Sequence, residues 1–375
     1  MNIGLALESY SNYAVPSRLS GNKSWRDKIT HILLKRRILL SWLTLFRLGA
    51  TARGVLPFLL GAVIAWSQGY DISWVILLLS SIAVICIMLM TFLVNEYYDY
   101  ETDVANKEYH MLSGGSRVLP MGLIPRRHSI IAAYVFLAVA VVIGLLLHFY
   151  FKTGALTILL GAVAIIIGYF YTAGPFKWSY HGLGEIGIWF TCGWLATITG
   201  YYLQTGHIDM VATLASLPGA FSVFLVILIN EIPDINSDRL SGKNTLAVKL
   251  GREKAGILYS VLLVLCYVNI IVIVFFGVPV ISVYLSVILI PFIVWNILNI
   301  RRRGLAGREV QEPLSMSTMV FDHMITIIYA ISFIVAGLGM MDVRLDYLLM
   351  LAAAFIIVFG LEGLGIACSR TVLQE

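Results

Sequence analysis

Apolar residues along this chain gather into runs of about twenty, long enough as helices to cross the roughly 30 Å hydrocarbon layer of a bilayer. Ten such runs are legible, at residues 46–67, 73–95, 128–150, 154–172, 184–203, 210–231, 255–276, 279–299, 323–341 and 346–367. The pattern predicts an all-α fold, a polytopic transmembrane helical bundle. Residues 1–45 precede it as a tail and an interfacial segment, in which Trp25, Ile29, Leu33, Leu34 and Trp42 alternate with basic residues. That alternation suits a helix lying in the membrane surface. Residues 46–341 are read as one transmembrane domain, and 346–367 as an additional C-terminal span.

Two of the runs end in the same polar pattern. NEYYDYETD places Asn95, Asp99 and Asp103 at i, i+4 and i+8, and INEIPDINSD places Asn230, Asp234 and Asp238 at identical spacing. Each Asn is followed by a glutamate, Glu96 and Glu231. Residues four apart share one helix face, about 6 Å apart along the axis, so each set is a ladder of oxygen ligands at a helix exit. An acid at the centre of a membrane helix costs roughly 2.5–3.5 kcal/mol, less near its end, and a cation is the simplest partner. Repetition at two distant helix ends suggests an internal duplication whose halves face a shared site.

Composition agrees, and charge adds a direction. Hydrophobic residues make up 59% of the chain and charged residues 13%, against about 45–50% and about 25% in soluble domains. Of 26 Lys and Arg, only Lys152 and Arg344 fall on one side of the ten-span arrangement. The opposite side, with the N-terminus and both ladders, is therefore expected to face the cytoplasm. Trp66, Tyr70, Trp74, Tyr150, Tyr201 and Tyr202 cluster near the outer boundary, as an aromatic belt should. Cys86, Cys192, Cys266 and Cys368 all lie in apolar runs without metal-ligand spacing, and read as small buried hydrophobes. The N-terminal stretch has no apolar core or cleavage site, so no removable signal peptide is expected. Nothing points to a nucleic-acid partner. The expectation is an integral protein of a bacterial or archaeal cell membrane.

Candidate chemistry collects after each ladder. SGGSRVLPMGLIPRR offers the backbone N–H groups of Gly114, Gly115 and Ser116 beside Arg117, a phosphate cradle in outline. Pro233 should break the helix between Asn230 and Asp234, and Lys243, next to Gly242, is placed for a diphosphate contact. Magnesium is a hard ion held by one or two carboxylates plus substrate phosphates. Two facing ladders could hold two such ions around a diphosphate, and an attached apolar tail could rest among the helices. This is a geometry for prenyl transfer, in which aromatic faces stabilise an allylic cation. Phe92, Tyr97, Tyr98, Phe170 and Tyr171 are candidates. Glu185, in the first turn of the fifth span, is either a helix-dipole partner or an acceptor-side residue.

At these motifs the sequence resembles the UbiA superfamily of intramembrane prenyltransferases. The superfamily's NDxxDxxxD appears as NEYYDYETD and its DxxxD as DINSD. GGSRVLPMGLI, GYFYTAGPFKWSYHGLGE, NEIPDINSDRLSGKNTLAVKLG and, more weakly, FRLGATARGVLPFLLG resemble the branch that prenylates 1,4-dihydroxy-2-naphthoate in menaquinone biosynthesis. The likeness covers roughly residues 45–340 and implies a nine-helix core. It also implies magnesium-dependent transfer from a polyprenyl diphosphate to a small aromatic acceptor. Carried over by position, Asn95, Asp99, Asp103, Asp234 and Asp238 would hold metal and diphosphate, with the four aspartates as the catalytic set. Asn230 would support them, Arg117 and Lys243 would touch diphosphate, and Arg47 matches the arginine that opens the first helix in relatives. Departures are Glu96 for a common Asp, Leu48 for the proline usually following Arg47, and Gly174 for a second proline before Phe176. The alternatives are the same fold with another acceptor (4-hydroxybenzoate, homogentisate, a haem, chlorophyllide or a glycerol-phosphate lipid), or a secondary transporter. Transporter sites lie near the bilayer midplane, whereas both ladders lie at helix ends.

Overall fold

The structure, a computed structural model, describes residues 23–110 and 112–339, together with Gly360, Leu364, Cys368 and Thr371. The expected tail over 1–22 and nearly all of the span expected over 346–367 lie outside the described residues. Every described regular element is helical. In chain order these are α1 (Lys23–Leu45), α2 (Leu48–Ser67), α3 (Trp74–Tyr98), the short α4 (Tyr100–Ala105), α5 (Arg126–Phe149) and α6 (Leu156–Tyr169). They continue with α7 over residues 184–205, α8 (Met210–Glu231), the short α9 (Ile235–Leu240), α10 (Leu246–Phe276), α11 (Ile281–Arg303) and α12 (Arg308–Leu338). Among the described residues, α2, α3, α5, α8, α10, α11 and α12 are long and apolar enough to cross a membrane. The chain is an integral membrane protein.

Hydropathy locates these helices but misjudges where several begin. α10 starts nine residues before the apolar run expected at 255 because Thr245 caps it, its hydroxyl accepting from the Val248 N–H at 3.2 Å. Gly251, at φ 73°, then bends the helix before it becomes apolar. α12 likewise begins with the polar turns REVQEP. Apolarity marks where a helix meets lipid, and hydrogen bonding marks where it starts. The fifth span is not one regular helix: α-helix over Gly184–Ile188 gives way to a π-helical stretch, Trp189–Leu195, and resumes over Ala196–Thr205.

α2 is the spine of the bundle. It is buried from Val55 almost continuously to Ser67, as a helix apolar on all faces must be, and α3, α7 and α12 pack around it. Its crossing with α7 brings backbones together: a Cβ at Gly61 would strike the Thr197 carbonyl, and one at Gly200 the Phe58 carbonyl. Small residues are how membrane helices approach when no water-driven force separates helix from lipid. That crossing fixes α2, and with it the residues at its polar end.

Candidate active site

Both ladders sit on bent helix ends. The first was expected on an unbroken helix, but α3 stops at Tyr98 and α4 begins at Tyr100, with Asp99 between them. The four-residue spacing survives, because the Asp99 N–H donates to the Asn95 carbonyl and the Asp103 N–H to the Asp99 carbonyl, each at 2.8 Å. The second bends at Pro233 as expected: α8 ends at Glu231, the Asp234 N–H reaches back only three residues to the Glu231 carbonyl at 3.1 Å, and the Asp238 N–H returns to the Asp234 carbonyl at 2.8 Å. α4 packs on α9. Asn95, Asp99, Asp103, Asn230, Asp234 and Asp238 thereby line one cavity of about 230 Å³.

The two halves brace each other across it. Asp99 accepts from the Lys243 ammonium at 3.0 Å and from the Tyr180 hydroxyl at 3.1 Å. Lys243 is also 3.8 Å from Asp238. In the opposite direction, the Asn106 amide donates to Asp234 at 2.7 Å and the Gly114 N–H to the same carboxylate at 3.3 Å. Each ladder's middle acid is thus held by the loop that follows the other ladder. Glu96 takes no part in this exchange; it is buried and accepts from the Ser116 N–H and hydroxyl, both at 2.7 Å, pinning the Gly-Gly-Ser turn over the cavity. Gly115 has φ 70°, and a Cβ there would collide with the Asp103 carboxylate. Only glycine lets the turn lie this close to an acid.

So many acids in one buried place are hard to ionise. Burial pushes the Asp234 carboxyl up to about 6 and the Asp238 carboxyl up to about 7, although Lys243 pulls both down. Burial, then Glu96 and Asp99, hold Asp103 well above the usual carboxylate range. Burial alone would lower Lys243, but Asp99 and Asp238 outweigh it and raise its affinity for the proton. A site with one ammonium among four aspartates calls for further positive charge. Among the described residues no group of three His, Cys, Asp or Glu side chains could hold a metal by itself, so the ladders are not a ready-made cage. The donors are nonetheless hard oxygens, and the Asn230 Oδ1 is buried without a hydrogen-bond partner. Such a set fits magnesium, which completes its shell with phosphate and water.

The cavity shares Met88, Phe92, Asn95, Tyr171, Ile188 and Cys192 with an adjoining, almost wholly apolar cavity of about 140 Å³ between α3, α6 and α7. A charged group at the ladders can therefore carry an apolar tail into the bundle.

A model of the UbiA prenyltransferase family matches residues 54–311. The chain belongs to this family. It is 28% identical over 214 residues to the 1,4-dihydroxy-2-naphthoate octaprenyltransferase of Bacillus subtilis, covering 56% of this chain and 66% of that protein. With the enzyme of the same name from Escherichia coli it shares 31% over 224 residues, covering 57% and 70%. The match thus spans about two thirds of these curated relatives. At the level of fold, a structure of digeranylgeranylglyceryl phosphate synthase covers 79% of the chain and 99% of its own, with TM-score 0.55 at 18% identity. A UbiA homologue from Archaeoglobus fulgidus bound to DMAPP and Mg2+ covers 76% and 99%, with TM-score 0.50 at 18% identity. UbiA family membership replaces the transporter alternative.

Three residues assigned to the UbiA site from sequence do not line the cavity. The Arg117 guanidinium donates to the Asp103 carbonyl and lies 4.0 Å from the Tyr109 ring centroid, so it braces the turn from behind. The Glu185 carboxylate is fully buried and accepts from the Leu246 N–H at 2.7 Å, satisfying the first turn of α10. Tyr98 shares the helix face of Met90 and Val94 and packs with them in a separate apolar cluster. Tyr171 and Phe92 do line the cavity, while Tyr97 lies against Arg126 and Phe170 packs beside Phe176. Arg47 is at the wall, 3.9 Å from Glu96 and over Phe92. Sequence reasoning missed Asn106 and Tyr180. Asn106 had a signal, since it extends the face of Asp99 and Asp103 at i+7 and i+3; Tyr180, over eighty residues from its partner, had none.

Proposed function

We propose that this UbiA-family protein transfers a polyprenyl group from its diphosphate to 1,4-dihydroxy-2-naphthoate, giving a prenylated naphthoquinol, diphosphate and carbon dioxide. The reading rests on one observation above all: two acidic ladders, more than a hundred residues apart, share a cavity that continues into an apolar one. The names of the relatives support the acceptor. Magnesium, as two ions, would be held by Asn95, Asp99, Asp103, Asp234 and Asp238, supported by Asn230, and when bound supplies charge neutralisation to the departing diphosphate.

The chain's own residues do the rest. Lys243 is placed to donate to diphosphate oxygens as they gain charge, and the Gly114–Ser116 turn presents backbone N–H groups at the same mouth. Phe92 and Tyr171 stand at the junction of the two cavities, where the allylic C–O bond breaks, and their ring faces suit a developing carbocation. The same walls exclude water, which would otherwise capture the cation in place of the acceptor ring. The charge asymmetry of the loops supports a site open to the cytoplasm.

The test is transfer by the purified protein in detergent, supplied with polyprenyl diphosphate, Mg2+ and 1,4-dihydroxy-2-naphthoate. Product is expected from the wild type and lost in Asp99→Ala and Asp234→Ala. Unchanged transfer by both variants overturns the metal assignment, and transfer only to another acceptor overturns the substrate.

A further inference from the structure

The inner wall of the cavity carries a cation that diphosphate chemistry does not use. Arg53 lies on α2 six residues beyond Arg47, hence about 9 Å further along the helix axis, and lines the cavity near Met88, Phe92 and Cys192. An arginine inside a membrane helix costs roughly 2.5–3.5 kcal/mol or more, and such residues mark substrate paths by default. A counter-charge lies in the same layer. Asp322 of α12 is buried and accepts a hydrogen bond from Ser222 of α8, and α12 packs on both α2 and α8. Met319 of α12 and Val223 of α8, close in the chain to Asp322 and Ser222, line the same cavity as Arg53.

Arg47 and Lys243 stand at the mouth, Arg47 beside Glu96 and Lys243 beside Asp99 and Asp238. The wall is therefore polar at both ends and apolar between, where Phe92 and Met88 lie. An apolar ring bearing one anionic group fits that sequence if the anion points inward. We propose that Arg53 is the acceptor-orienting residue: its guanidinium takes the carboxylate of an aromatic acid at the inner end of the cavity. The ring is thereby held between that carboxylate and the mouth. A planar fork of donors matches a carboxylate in two parallel hydrogen bonds and so fixes ring angle as well as position. Asp322, itself held by Ser222, offsets the charge of Arg53 when no acceptor is bound. The inference rests on the aromatic-acid acceptor proposed above.

The experiment compares wild type, Arg53→Gln and Arg53→Lys with two acceptors, 1,4-dihydroxy-2-naphthoate and 1,4-dihydroxynaphthalene, which lacks the carboxylate. Arg53→Gln is expected to raise KM for the acid about a hundredfold, to leave KM for polyprenyl diphosphate unchanged, and to treat the neutral acceptor as wild type does. Arg53→Lys should recover part of the loss. Because Arg53→Gln leaves Asp322 without its counter-charge and can unfold the protein, the double variant R53Q/D322N removes both charges; it should regain thermal stability and keep the defect. Wild-type KM for the acid in either variant, or equal losses on both acceptors, overturns the proposal. Equilibrium binding of the acid alone to wild type and Arg53→Gln separates the two claims. Binding that depends on Arg53 without any transfer sinks the enzyme reading and keeps this one.

Discussion

The two acidic ladders have the same spacing and different company. In the first, Asp99 is held by a cation, Lys243, with Tyr180 beside it. In the second, Asp234 is held by neutral donors, the Asn106 amide and the Gly114 N–H. A repeated motif has thus been completed in two ways, one middle acid held by a charged donor and the other by neutral ones, while Lys243 also reaches Asp238 at 3.8 Å. Proton affinity does not divide the halves: burial raises Asp103 of the first ladder as it raises Asp234, to about 6, and Asp238, to about 7, in the second. Both ladders therefore gain from added positive charge.

Removing either middle acid should have the largest effect. Asp99→Ala and Asp234→Ala are each expected to lower kcat about a thousandfold or more, since charge stabilisation at the leaving group is the main contribution such a site makes. Breaking the braces should separate the halves. Lys243→Ala, which strips Asp99 of a charged partner, should cost about a hundredfold in transfer, and Asn106→Ala, which removes one neutral hydrogen bond, about tenfold. Equal losses would mean that the two halves are equivalent after all. Single-turnover rates at saturating substrate make that measurement.

Proton competition probes the second ladder by itself. In the metal-free protein Asp234 and Asp238 hold protons up to pH 6 to 7, whereas a divalent ion needs them as carboxylates, so affinity should rise with pH. Between pH 6 and 8 a calorimetric titration is expected to show Mg2+ binding strengthening by on the order of tenfold. Asn106→Ala should move that rise to higher pH, because the lost hydrogen bond favours the ionised form of Asp234. Gly115→Ala should lower stability by about 1–2 kcal/mol, from positive φ and contact with Asp103; a melting curve identical to wild type would exclude the close approach. Tyr98→Phe should change transfer by less than about twofold, since that ring lies in another cluster.

Much of this site was legible in the sequence because acids that share one face at a helix end impose a spacing, and spacing is what a sequence records. The ladders, the Gly-Gly-Ser turn, the break at Pro233 and Lys243 all carried such marks. What could not be read was which way a side chain turns once neighbours compete for it. Arg117 beside two glycines looks like a phosphate ligand, yet the Tyr109 ring and the Asp103 carbonyl claim it. Glu185 reads as either a helix-dipole partner or an acceptor-side acid, and no spacing announced that one of its oxygens would accept from the first turn of α10. The fifth span reads as an ordinary helix, yet it carries a π-helical stretch where Gly193 lies against Ala220 of α8. In each case the contact is one that spacing does not record.

The exchange of braces makes two distant stretches of chain mechanically dependent on each other. Asn106 and Asp234 are 128 residues apart, and Lys243 and Asp99 are 144, yet neither loop can change shape without slackening an acid borne by the other. A substitution that slackens one loop is therefore expected to loosen an acid of the distant ladder, so damage to either stretch is felt in both.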